Sequence, residues 1–309
     1  NFPNREGSKP GNGQIASVAL MDARSIAATA ANGGRITAAD EWGYEYECPK
    51  FDYDATSYEH RIYQGFGKGD PNAELVCGPN IKDWPEMPAL NEHMLLKVCA
   101  YITDPVTTTD ELIPSGETGS FRSNPMGLAE FTLSRRVPEY IGKAKVVMNH
   151  EKNRKNGTCP EEVADAIAKI RTISGFAEIK EEKIDLSSII YAVKPGDGSA
   201  REQAASCQRV LLGGANIAKE YATKRYRSNL INWGMVPFVT VSAPDFADDD
   251  YIFVPNIREA LEGSMVNIPA YVLGETIKPL TLAIAPLTKE EKDIIRAGSL
   301  INYNRMLKK

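Results

Sequence analysis

A glycine-rich turn between a predicted strand and a predicted helix constrains this chain more than any other feature. Residues 189–193 read IIYAV, a β-branched and aromatic run that is typical of a buried strand. Residues 200–211 place small and apolar side chains at helical spacing, which predicts a helix with one apolar face. The turn between them is GDGS at residues 196–199, and Ser199 stands where an N-cap residue belongs.

The start of this predicted helix is a candidate anion-binding site. The first backbone N–H groups of a helix have no partner inside the helix and attract negative charge. Arg201 adds a forked donor that suits a carboxylate or a phosphate. The turn therefore allows a carboxylate site with a serine in its floor. The alternative is an ordinary turn followed by a helix cap.

Composition places the chain among ordinary globular proteins. Its 309 residues are enough for one large domain or two smaller ones, and 42% of them are hydrophobic. A net charge of −5 gives no support to nonspecific nucleic-acid binding, which needs a concentrated basic face. No apolar run approaches the roughly 20 residues that a membrane helix needs. The polar start of the chain does not resemble a signal peptide, so we expect a cytoplasmic protein.

The cysteines and histidines of the sequence do not form a metal-binding pattern. The five cysteines are odd in number and scattered, at Cys48, Cys77, Cys99, Cys159 and Cys207. No C-x-x-C pair occurs, so we expect neither zinc nor an iron–sulfur cluster held wholly by this chain. The cysteines suit a reducing compartment, and Cys99 and Cys207 are expected in the core. The three histidines have no metal-like spacing either, so no metal ligand is assigned.

Several further motifs follow a fixed order along the chain. Residues 196–205, GDGSAREQAA, are similar to the pattern Gly-x-Gly-Ser-Ser-Arg-Glu-His-Ala of the aconitase family of iron–sulfur hydro-lyases. The chain also resembles this family at other places, among them NFPNR at residues 1–5, LGGANIAK at 212–219, YRSNL at 226–230, GMVPF at 234–238 and IRAGSLIN at 295–302. No single motif is specific, but together they identify the chain as similar to that family.

The resemblance implies an α/β fold with three parts. Residues 1–39 would be the tail of an upstream α/β cluster-binding domain, including an alanine-rich helix over residues 15–31. Residues 40–92 would be a long linker, since they are rich in Asp, Tyr, Gly and Pro. Residues 93–309 would form the family's swivelling β/β/α domain, a mixed sheet or barrel with flanking helices. In that region the local pattern predicts strands near 95–102, 146–148, 189–193, 236–241, 251–254 and 281–284, and helices from 160, from 199 and over 288–297.

The resemblance also implies two catalytic residues. Ser199 matches the serine that serves the family as general base, which requires an alkoxide stabilised by helix-terminal N–H groups. Residues 107–116, TTTDELIPSG, are similar to the family's loop Thr-Thr-Asp-His-Ile-x-x-Ala-Gly, which places Asp110 at the active-site aspartate. Glu111 stands where that loop has histidine, and this is a departure from the family.

The substrate-binding positions implied by the resemblance include three arginines. Arg5, Arg122 and Arg201 match family arginines and would hold carboxylates, because the guanidinium fork contacts both oxygens and stays charged. Without the resemblance, Arg122 would be interpreted as a solvent-facing loop residue. Ala200 stands where the family has a second serine that contacts substrate, so a donor to the carboxylate is missing and the substrate need not be citrate or isocitrate.

We therefore expect the C-terminal part of an aconitase-like hydro-lyase that reversibly dehydrates a hydroxy di- or tricarboxylic acid. A [4Fe–4S] cluster, with ligands outside this chain, would be held by upstream domains of the same protein, and this chain alone would be inactive. The alternative is a family member that has lost catalysis and serves as a binding protein, with RNA as one candidate ligand. A small subunit that works beside a separate large subunit is disfavoured, because such subunits lack the starting motif and the long linker.

Overall fold

The computed structural model describes residues 19–43, 50–61, 67–240 and 244–307, and the chain divides into two units, Asn1–Val76 and Cys77–Lys309. The described part of the first unit contains helix α1 (Ala23–Ala31), a 3-10 turn (Ala39–Trp42) and helix α2 (Thr56–Arg61). The predicted alanine-rich helix is thus present but starts later, because Asp22 caps it by accepting from the N–H groups of Arg24 and Ser25.

The second unit is a mixed α/β domain built on a closed barrel of seven strands. In barrel order the strands are β1 (His93–Ile102), β3 (Ile184–Ala192), β5 (Gly213–Ala218), β6 (Val236–Thr240), β9 (Ile277–Ile284), β8 (Ile268–Leu273) and β7 (Tyr251–Val254). β1, β3, β5 and β6 are parallel neighbours, and the remaining pairings are antiparallel. The expected α/β class with a mixed barrel is confirmed.

Two hydrophobic clusters fill this unit, because successive side chains of a strand point to opposite faces. Leu96, Val98 and Phe238 belong to the cluster inside the barrel. Leu95 and Ile190 belong to the second cluster, which lies between the strands and the helices. The described helices of the unit are α3 (Thr109–Leu112), α4 (Pro125–Ala129), α5 (Tyr140–Lys155), α6 (Glu161–Arg171), α7 (Arg201–Val210), α8 (Lys224–Asn232), α9 (Ile257–Glu262), α10 (Lys289–Ala297) and α11 (Leu300–Leu307). A two-residue strand β2 (Thr107–Thr108) and a three-residue strand β4 (Pro195–Asp197) lie outside the barrel.

Most predicted elements of the second unit are confirmed, but the predicted strand at residues 146–148 is wrong. These residues lie in the middle of α5, where Val147 is buried and Val146 is half exposed. β8 and α11 were not predicted. Residues 77–92, which the sequence assigned to a linker, lie in the second unit, where the N–H of Leu90 donates to the carbonyl of Arg296.

The described helices do not include one with the length and apolar character that a membrane crossing needs.

Candidate functional site

Two loops at one end of the barrel bring two of the sequence motifs together. Because β1 and β3 are parallel neighbours, the chain segments that follow Ile102 and Ala192 leave the barrel at the same end. Outside the barrel, β2 pairs with β4 so that Thr107 lies opposite Pro195. Ligands of α/β proteins commonly bind at the carboxyl ends of parallel strands, so this end is a suitable place for a site.

The glycine-rich turn approaches its neighbours too closely for any side chain. Gly196 has a φ of +96°, and a Cβ atom there would lie 2.2 Å from Cγ of Tyr226. Gly198 has a φ of +136°, and a Cβ atom there would lie 2.1 Å from Oγ1 of Thr109. Both positions therefore need glycine for the conformation and for the close contact.

A buried polar network packs against the turn and hydrogen-bonds to it. The hydroxyl of Tyr226 accepts hydrogen bonds from Nε2 of Gln208 and Nδ2 of Asn216, each at 2.9 Å. Burial raises the pKa of Tyr226 above its ordinary value, which keeps the hydroxyl protonated. Oγ1 of Thr223 donates to the carbonyl of Gly196 at 3.2 Å. The turn is thus fixed to α7, β5 and α8 at once.

The expectation that Ser199 caps the helix is wrong by one residue. Ala200 is the N-cap of α7 and makes no side-chain capping bond, whereas Ser199 is exposed. The methyl group of Ala200 packs against the cluster between the strands and the helices, where a serine hydroxyl would need a hydrogen-bond partner. This packing is a physical reason for the alanine at that position.

Ser199, Ala200 and Arg122 line one surface cleft of about 280 Å³, and Arg122 is exposed. The other lining residues are Ser115, Glu202 and Gln203. The cleft therefore combines a hydroxyl group and a guanidinium from two distant segments. It can accept an anion of a few carbon atoms from solvent.

Sequence reasoning did not assign Ser115 or Glu202 to this cleft. Ser115 lies in the loop after α3, and no local pattern distinguishes it from other loop serines. Glu202 follows Arg201 in the first turn of α7, and its Oε1 accepts a hydrogen bond from Nε1 of Trp233 at 3.2 Å. That bond depends on a distant residue, so the sequence held no signal for it.

Asp110 lies in the segment next to the turn but does not line the cleft. Its Oδ2 accepts from Nη1 of Arg135 at 3.1 Å, and the same guanidinium contacts Glu117. These carboxylates, Glu117 foremost, raise the pKa of Arg135. Glu111, the departure from the expected histidine, caps α3 by accepting from the N–H and the hydroxyl of Thr108, both at 2.7 Å.

Of the other two predicted arginines, Arg201 is among the described residues and Arg5 is not. Arg201 begins α7 and is half-buried, and it is not among the residues that line the cleft. Arg5, together with the motif at residues 1–5, lies outside the described residues. Their roles stay predictions.

The described residues do not fit a metal or an iron–sulfur cluster. No group of three His, Cys, Asp or Glu side chains within the described ranges is placed to hold a metal ion. Cys99 and Cys207 are buried in the core, as expected, and burial raises the pKa of each thiol to about 12. Cys77 and Cys159 are exposed. Buried thiols with such pKa values are poor thiolate ligands.

Comparison with known proteins shows a distant likeness to solved structures. No protein-family model matches the sequence, and no curated protein matches it. Among solved structures, the chain is similar to the crystal structure of 3-isopropylmalate dehydratase from Methanocaldococcus jannaschii. The two are 21% identical, with a TM-score of 0.42, over 70% of this chain and 96% of that chain. A likeness of this size carries no argument about activity.

Proposed function

We propose that this chain contributes a carboxylate-binding and proton-abstracting site to an aconitase-like hydro-lyase. The observation that carries the proposal is the cleft shared by Ser199 and Arg122. The substrate would be a hydroxy di- or tricarboxylic acid. The support is the order of the sequence motifs together with the meeting of two of those motifs at this cleft.

Arg122 would bind a substrate carboxylate. Its guanidinium is exposed at the cleft, so it is available to a ligand from solvent. The planar fork contacts both carboxylate oxygens and remains charged at every working pH. Arg201 and Arg5 are proposed as further carboxylate ligands on the sequence resemblance alone. Ala200 gives the cleft an apolar floor, which disfavours substrates that need a second hydroxyl contact there.

Ser199 would take the proton from the carbon atom next to a carboxylate. A serine hydroxyl can do this only if its alkoxide is stabilised by N–H donors in a water-excluded site. Ser199 is exposed, so the described residues do not exclude water from it. The site would therefore need a second part of the protein to cover the cleft.

The described residues contain no group of three side chains that could hold the iron–sulfur cluster that the resemblance implies. Groups outside the described residues would thus have to assist the departure of the substrate's hydroxyl group. Asp110 stays a candidate catalytic residue, because its segment contacts the turn through Thr109. It would have to leave Arg135 before it could transfer a proton directly.

A second candidate is a binding protein without catalysis. The exposure of Ser199 and the ion pair between Asp110 and Arg135 favour it, since neither side chain is activated in this arrangement. The net charge of −5 works against RNA as the ligand. A salt-dependent RNA shift on the cluster-free protein, with no hydratase activity after reconstitution, would favour this candidate.

In the direct experiment, this chain is combined with the upstream cluster-binding domains and the [4Fe–4S] cluster is reconstituted. A panel of hydroxy di- and tricarboxylic acids is then assayed for dehydration. Activity on at least one of these acids is expected, and Arg122→Gln should raise KM for it. The matched control is Arg171→Gln, because Arg171 does not line the cleft and pairs with Glu181 instead. Absence of activity across the panel would contradict the proposal.

A further inference from the structure

A second cleft of the second unit lies at the other end of the barrel. It measures about 1020 Å³, and its lining includes Pro88, which precedes β1, and Leu212, which precedes β5. It therefore lies where the parallel strands begin, whereas the Ser199 turn follows the ends of such strands. Its lining also includes Ser299, Ile301 and Asn302 of the motif at residues 295–302.

The lining of this cleft carries both acidic and basic side chains. The segment before β1 contributes Asp83, Glu86 and the indole of Trp84. Trp84 packs against Trp233 with 4.5 Å between ring centroids, so its ring has a fixed support. Helix α5 contributes Lys152 and helix α11 contributes Arg305. Neither of these two cations forms an ion pair with any residue in the described ranges.

A small inner lobe adjoins the cleft. The lobe and the cleft share Pro88, Glu151 and Leu212 in their linings. The lobe offers about 20 Å³, enough for one water molecule or one hydroxyl group. Glu151 is already neutralised there, because Nε and Nη2 of Arg154 donate to its carboxylate at 2.8 and 2.9 Å.

Two buried polar groups lining the lobe have no hydrogen-bond partner among the described residues. They are Oγ of Ser187, whose residue is 3% exposed, and Nε of Arg209, whose residue is 8% exposed. Such buried groups are uncommon and are usually satisfied by water or a ligand. Asp185 also lines the lobe and accepts from the N–H of Asn91 at 2.8 Å.

The rest of the Arg209 guanidinium is fixed in place. Its Nη1 donates to the carbonyl of Gly213 at 3.1 Å, and its Nη2 donates to those of Pro88 and Gly298 at 2.8 and 3.0 Å. Burial lowers the pKa of Arg209 to about 10, so the side chain keeps its charge at neutral pH. The lobe thus presents a fixed N–H donor, a hydroxyl and a carboxylate acceptor. A hydroxyl group matches this set because it can accept and donate at once.

We propose that this cleft binds a phosphorylated sugar or polyol, with one hydroxyl group in the inner lobe and the phosphate between Lys152 and Arg305. The apolar face of the sugar or polyol lies against Trp84. Asp83 and Glu86 accept hydrogen bonds from further hydroxyl groups. Lysine and arginine suit the phosphate because both donate charge-assisted hydrogen bonds to its oxygens.

Titration of this chain with glucose 6-phosphate, ribose 5-phosphate and glycerol 3-phosphate tests the proposal by calorimetry. At least one of the three should saturate the protein and bind about tenfold or more tightly than inorganic phosphate or glucose. Binding by none of the three overturns the proposal. If inorganic phosphate binds as tightly as the best of the three probes, the sugar or polyol adds no affinity, and the proposal that this cleft recognises it is overturned.

Two variants test where the probe binds. Lys152→Glu should weaken binding about tenfold or more, while Lys224→Glu, at the exposed start of α8, should leave it unchanged. Ser187→Ala should weaken binding but keep the unfolding midpoint, because its hydroxyl has no partner in the described structure. Equal binding by wild type, Lys152→Glu and Ser187→Ala overturns the proposal.

Discussion

A Cβ atom on Gly198 would lie 2.1 Å from Oγ1 of Thr109, closer than any non-bonded contact allows. Thr109 is 2% exposed and begins α3, so it cannot move aside freely. The contact joins the loop after β1 to the loop after β3, and each loop contributes one side of the Ser199 cleft. The distance between the backbones of these loops is therefore set by the absence of a side chain at residue 198.

Gly198→Ala should destabilise the second unit. The new methyl group meets Thr109, and the φ of +136° is one that residues with side chains rarely adopt. We expect the free energy of unfolding to fall by about 1–3 kcal/mol, as measured by urea denaturation. The matched control is Gly142→Ala in α5, where no atom lies within 4 Å of the new methyl group. That variant should gain up to about 1 kcal/mol from the better helix propensity of alanine. A Gly198→Ala protein as stable as wild type would contradict this account of the turn.

Carboxylate binding by this chain alone should depend on Arg122. Titration with a tricarboxylate such as citrate, followed by NMR chemical shifts, should show weak binding that higher salt weakens further. Arg122→Gln removes a charged donor at the cleft, and we expect about tenfold or more loss of affinity. Arg171→Gln serves as the control and should bind like wild type. If the two variants bind equally, Arg122 is not a carboxylate ligand.

The stability of the second unit should fall in acid because of His93. Burial lowers the pKa of His93 below its ordinary value of 6.5, and its Nδ1 accepts from the N–H of Asn256 at 3.0 Å. The unfolded chain therefore takes up the proton first. The stabilisation is complete above about pH 6.5 and is lost as the pH falls through the lower folded pKa.

The measurement is the difference in unfolding free energy between wild type and His93→Gln, followed from neutral to acidic pH. Glutamine can still accept from Asn256 but does not titrate, so the difference isolates His93 from the carboxylates. Wild type should lose stability relative to the variant as the pH falls. The control is His60→Gln, because His60 is exposed on α2. Parallel curves for wild type and His93→Gln would rule out this source of pH dependence.

The fold was predictable where a long pattern had a single interpretation. The strand before the glycine turn and the capped helix that Thr288 begins were both evident from the sequence. The helical state of residues 146–148 was not evident, because three apolar residues are too few to distinguish a strand from a helix. β8 contains Pro269, which weakens a strand pattern although the strand lies between β7 and β9.

The candidate site was predictable as a set of motifs but not as an arrangement. The sequence motifs predicted Ser199 and Arg122 as site residues, and both line one cleft in the structure. It also named Asp110, whose ion pair with Arg135 depends on a residue far along the chain. The pairing of β2 with β4 is equally non-local, since each of these strands is too short to have a pattern. Ser187 and Arg209 were missed for the same reason.

The central role proposed for Ser199 is the removal of a carbon-bound proton from a hydroxycarboxylate. It is tested most directly by following the exchange of that hydrogen with deuterated water in the reconstituted protein, by mass spectrometry. Wild type should exchange it, Ser199→Ala should lose nearly all exchange, and Ser228→Ala, an exposed serine of α8, should match wild type. A Ser199→Ala protein that exchanges the hydrogen at the wild-type rate would contradict the claim.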